Sequence, residues 1–132
     1  MEKFIKIDCN IQSLLFALFF IFLILDIVVL KSCISAVFYF LIALNHIVSS
    51  NKRFFSKQYS KTVLFKVYYF ISMFFMLSLL SLVLLSGLHI NNDYYRSFGY
   101  AVLYFGLFGT PVLAITYYII CHIDCEKLNQ QK

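Results

Sequence analysis

The sequence predicts an all-α protein, a four-helix transmembrane bundle of two antiparallel helical hairpins with both termini in the cytoplasm. Three observations carry that expectation. Hydrophobic residues make up 62% of the 132 and charged residues 13%, against roughly 45–50% and about 25% in soluble domains. Four apolar runs are each long enough to cross about 30 Å of hydrocarbon, which takes ~20 helical residues. Lys and Arg then fall almost entirely on one side of the resulting topology. A soluble domain this small has too high a surface-to-volume ratio to hide so much apolar surface. Soluble, disordered and disulfide-scaffold classes are excluded on that ground, and the chain has room for one membrane domain with no catalytic domain appended.

The first run covers about 11–30, with Gln12, Ser13 and Asp26 as its only polar members. The second covers 33–50 and follows after only Lys31 and Ser32, so the two helices form a tight hairpin. The third, 62–90, exceeds the hydrocarbon thickness and is expected to tilt or protrude. The fourth covers 98–121. Barrel strands are excluded because the runs do not alternate. Helices also satisfy their own backbone hydrogen bonds, as lipid requires.

Four spans place the N-terminus, the middle connection and the C-terminus together. That side carries Lys3, Lys6, Lys52, Arg53, Lys57, Lys61, Lys127 and Lys132, whereas the other carries Lys31 and Arg96. Positive residues stay cytoplasmic, so both termini are expected there. The basic, aromatic connection 51–61 then lies at headgroup level, with Phe54, Phe55 and Tyr59 beside anionic lipid. Membrane lipid accounts for the +5 net charge, and no nucleic-acid partner is expected. Abundant Phe, Ile, Asn, Lys and Tyr without Trp suggests an AT-rich genome and a bacterial inner membrane. The apolar start of the chain reads as a retained span: acids interrupt its basic flank, no small-residue cleavage site follows, and lipid-anchor motifs are absent.

Ionisable groups inside a span are costly and mark function by default. Asp26 sits about 6 Å from the outer end of the first helix and shares a face with Gln12, about 40° away. It is a candidate cation or proton site, or a structural acid paired with Lys31, His89 or Arg96. Ser35, Tyr39, Ala43, His46 and Ser50 fall within an arc of about 80° on the second helix, forming a small and polar stripe suited to helix packing or to lining an aqueous path. Asn45 lies beside it. Lys66, one turn into the third helix, has a stem long enough to snorkel and is otherwise a charge partner for His46 or Asn45. His89 lies near the outer end and His46 near the inner, so they do not bracket one haem. In the fourth run Gly99, Gly106 and Thr110 form a small-residue packing face. Pro111 frees the carbonyl of Leu107 and should kink the helix.

Cys9, Cys121, His122 and Cys125 share the cytoplasmic side and offer a weak zinc-ligand set. Free thiols are the expectation in a reducing compartment, so no metal or other cofactor is expected. No nucleophile elbow, zinc-protease helix, phosphate loop or paired-carboxylate constellation occurs, and an enzyme is not expected. In size and span count the chain resembles the small multidrug exporters, although Asp26 is off-centre and their surrounding motif is missing. Asn51-Lys52-Arg53-Phe54 resembles the run that ends the second helix of accessory flippases of glycan modification, a match of four residues. Neither family is assigned. The expected function is that of a small polytopic membrane protein working as an oligomer, or as a subunit or effector of a membrane complex. The alternative is a small transporter or oligomeric channel using Asp26, Asn45 and His46.

Overall fold

A computed structural model describes residues 1–30, 34–86 and 93–130, and every regular element among them is helical. Helix α1 (Glu2–Leu25) ends in a π-helical turn, Asp26–Leu30. Helix α2 spans Ile34–Phe55 and α3 spans Val63–Ser86. Helices α4 (Asp93–Tyr104) and α5 (Thr110–Gln130) are joined end to end through a second π-helical turn, Phe105–Gly109. The chain thus makes four rods, each long and apolar enough by length and composition to cross a membrane.

The helices outrun the apolar runs at several ends, for local reasons. Helix α1 begins nine residues before residue 11, with Glu2 in its first turn where a carboxylate complements the helix dipole. Helix α2 continues through Asn51–Phe55, which the sequence had placed in the connection. Lys52 and Arg53 in its last turn suit the negative end of the dipole. The true connection is therefore only residues 56–62. It hands over to α3 through Thr62, whose hydroxyl caps the helix by accepting the Phe65 N–H at 3.2 Å.

The α4–α5 junction accommodates Pro111. Proline has no N–H for the carbonyl of Leu107, and the wider π-helical turn lies immediately before it. The Thr110 hydroxyl donates to the Gly106 carbonyl and also pairs with the Tyr39 hydroxyl on α2. At Gly109 a Cβ would sit 2.9 Å from the ring of Phe105, so a larger residue there obliges that ring to shift. At Gly106 a Cβ would stand 3.4 Å from the tip of the Phe75 ring of α3, an ordinary contact. Gly99 faces Leu82 at an ordinary 3.8 Å.

Helix α1 packs against α2 and α5, and α5 also touches α2 and α3, while α4 rests on α3. The buried core gathers Ile5, Tyr59, Phe65, Tyr68, Tyr117, Ile120 and Cys121. It lies at the end where α1 and α3 begin and α2 and α5 finish, called here the termini end. Large apolar side chains cover the outside, including Ile27 and Val28 at 71% exposure and Phe74 at 72%.

Candidate functional site

The termini end encloses a charged cluster built on Arg53. The extension of α2 past residue 50 carries this side chain inward, where it is 0% exposed. Its Nη2 donates to Asp8 Oδ2 of α1 at 2.7 Å, and its Nη1 donates to Asp124 Oδ2 of α5 at 2.6 Å. One guanidinium therefore ties three helices together. Its planar fork suits two carboxylates in a way an ammonium does not. The rings of Tyr59 and Tyr117 flank it, each 5.5 Å from Cζ.

Asp8 takes donors on both of its oxygens, and Asp124 takes two on Oδ2. Asp8 Oδ2 also accepts the Tyr117 hydroxyl at 3.0 Å and the Cys121 thiol at 3.4 Å. Asp8 Oδ1 accepts the Ser49 hydroxyl at 2.8 Å and the Asn45 amide at 3.3 Å. Asp124 Oδ2 takes the Tyr59 hydroxyl at 2.6 Å. Burial, reinforced by this bond to Asp124, pushes the Tyr59 phenol above its ordinary value. Removing three charges from water costs several kcal/mol per ion, an amount repaid only by such dense hydrogen bonding. The repayment is incomplete, because the buried Arg53 Nε and Gln12 Nε2 bond to no protein acceptor.

Farther into the bundle, His46 Nε2 lies 2.8 Å from Gln12 Oε1, linking α2 to α1. The imidazole packs on Tyr117 with centroids 4.5 Å apart. Next to it lies a cavity of about 80 Å³ whose polar lining is Tyr39, His46, Tyr68, Ser72 and Thr110.

The structure brings Asn45 and His46 to the same helix interface, each with a partner on α1. Asp26 is elsewhere, at the opposite end of α1. Its Oδ2 accepts the Ser35 N–H at 2.6 Å and so caps the start of α2. Lys66 is exposed and forms no ion pair among the described residues; Asn45 and His46 have the partners just named instead. His89 lies outside the described residues, as does Lys31. Pro111 is exposed beside the π-helical turn.

The proposed zinc ligands do not assemble. Among the described residues no group of three His, Cys, Asp or Glu side chains could hold a metal. Cys121 is bound into the Arg53 cluster. His122 points outward and meets Glu126 at 3.5 Å. Cys9 on α1 and Cys125 on α5 lie within interaction range of each other. Tyr59, expected at headgroup level, is instead buried against Asp124, whereas Phe55 is exposed and Phe54 stacks on Tyr69 at 3.9 Å.

Sequence reasoning placed Tyr59 at headgroup level and gave Asp8, Arg53 and Asp124 no place in a site. Asp8 and Arg53 were counted only as flanking charges. Arg53, Tyr117 and Cys121 are each 0% exposed, so the cluster fixes helices and offers no open face to a solute. No family model, curated protein or solved structure matches the chain.

Proposed function

We propose that the chain is an integral membrane protein with four spans and both termini in the cytoplasm. It acts without catalysis, as a self-associating or partner-bound subunit of a membrane assembly. One observation carries this reading: the polarity of the fold is inverted, with charges enclosed at helix contacts and large apolar side chains outside. Lipid is the solvent that favours such an arrangement. The orientation follows from the Lys and Arg imbalance between the two ends. The enclosed cluster supports a structural use of the ionisable groups, because each acid is committed to fixed donors.

The test combines topology and assembly. A fluorescent protein fused after Lys132 should fluoresce in a bacterial host and alkaline phosphatase at the same site should be inactive; the converse pattern overturns the orientation. Sedimentation in mild detergent should give a particle larger than one chain, or co-purify a defined membrane partner. A lone monomer with no partner overturns the assembly claim.

The small cavity beside His46 favours a second reading, a proton or small-cation transporter. Flux in reconstituted liposomes that disappears in His46→Ala, with folding retained, would replace the first reading by the second.

A further inference from the structure

We propose that Cys9 and Cys125 are an oxidation site, forming a reversible disulfide that staples α1 to α5 beside the Arg53 cluster. The sequence contains two Asp-Cys pairs, Asp8-Cys9 on α1 and Asp124-Cys125 on α5. The fold sets them face to face. The two aspartates converge on one guanidinium, at 2.7 and 2.6 Å, and the cysteines next to them lie within interaction range of each other across the packed α1–α5 contact. Neighbouring residues on a helix point about 100° apart, so each pair sends its acid to Arg53 and its thiol to the opposite helix.

The choice of partner follows from the surroundings. Cys121 is one turn earlier on α5 but is engaged elsewhere: it accepts from Arg53 at 3.2 Å and donates to Asp8 at 3.4 Å. Cys9 is buried and Cys125 is half-buried, so Cys125 is the thiol that a small polar oxidant meets first. With hydrogen peroxide, the Cys125 thiolate attacks one peroxide oxygen and the O–O bond breaks. The departing hydroxide takes a proton to become water, leaving a sulfenic acid on Cys125. The Cys9 sulfur then gives up its proton and attacks the Cys125 sulfur. The S–O bond breaks and the second water leaves. Two thiols are oxidised and one peroxide is reduced to two waters. The new bond closes the loop from residue 9 to residue 125 and holds both aspartates against Arg53.

The experiment uses the full chain in detergent micelles, titrated with hydrogen peroxide and analysed by intact mass and non-reducing peptide mapping. The expected result is loss of two hydrogens, a Cys9–Cys125 cross-linked peptide, a raised thermal midpoint and reversal by dithiothreitol. Cys9→Ser and Cys125→Ser should each abolish the cross-link and Cys121→Ser should keep it. Should either serine variant misfold, maleimide labelling of the oxidised wild type after denaturation decides the matter: Cys9 and Cys125 must be protected together while the other two cysteines react. A cross-link through Cys121 or Cys33, a disulfide between chains, or separate over-oxidation of the two thiols overturns the proposal. None of these readouts depends on membrane orientation or on assembly.

Discussion

Asp8 and Arg53 are 45 residues apart in sequence and 2.7 Å apart in space, and neither side chain is more than 1% exposed. Because the contact is both charged and dry, its two halves are not separable. An isolated buried ion is far more costly than the pair.

Arg53→Met should therefore be severe. It leaves Asp8 and Asp124 enclosed without a countercharge, a loss of about 3–5 kcal/mol, read as a large drop in the thermal midpoint in detergent. Arg53→Lys should recover only part of this, since one ammonium cannot reproduce a fork across two carboxylates. Adding Asp8→Asn and Asp124→Asn to Arg53→Met should return much of the lost stability. A triple variant no better than the single one would show that the cluster's charge is not what matters.

Tyr59 gives a pH signature. Its phenol titrates above its ordinary value because of burial and its bond to Asp124. A raised folded-state value means that the stabilisation is fully present below the unfolded value of about 10 and is lost as pH climbs through the folded value. Tyr59→Phe also lacks the bond to the carboxylate, worth about 1.5–3 kcal/mol. The wild type should thus lead the Phe variant by a constant margin from neutral pH to about pH 10, and the margin should shrink at higher pH. A margin that grows with alkalinity contradicts the assignment.

Asp26 is predicted to be a cap. Asp26→Ala removes the acceptor for the Ser35 N–H and should cost about 0.5–2 kcal/mol, the usual range for a lost helix cap. Asp26→Asn keeps a carbonyl acceptor and should fall between the Ala variant and the wild type. Thermal melts of the three proteins provide the ranking. Any transport activity abolished by Asn at unchanged stability would instead mark the carboxylate as a transport group.

Gly109 leaves room for the Phe105 ring in the π-helical turn before Pro111. Gly109→Ala places a methyl 2.9 Å from the Phe105 ring, and Phe105 is itself packed against Phe75 with centroids 5.1 Å apart. Overpacking of this kind costs about 1–3 kcal/mol. Phe105→Leu in the same chain should relieve most of that penalty, as a double-mutant cycle can quantify.

Four helices were legible because run length and hydropathy are local quantities. Their ends were less so. Asn51-Lys52-Arg53 breaks the hydropathy of the second run, yet the helix continues through it, because Arg53 finds its carboxylates inside. The stripe of Ser35, Tyr39, Ala43, His46 and Ser50 could be written down from the period of 3.6 alone. Which residue each member meets depends on α1 and α5, and a single-helix periodicity carries no such information. The Arg53 cluster was missed for the same reason. Asp8 looked like one charge in a flanking segment. The available signal was the repeated Asp-Cys pair, which stands in the sequence at both ends of the chain.

The reach of Arg53 to Asp124 spans 71 residues, and this sets an order of events during synthesis. Asp8 has already left the ribosome when Arg53 is made, so the first ion pair can close within the leading hairpin. The second carboxylate exists only once translation has reached α5. Until then the guanidinium holds one carboxylate, and its Nη1 has no acceptor on α5. Nascent chains halted before Asp124 should accordingly be retained by membrane quality-control proteases, and those released after it should escape. Synthesis of α5 is thus the step at which the guanidinium fork gains both of its acceptors.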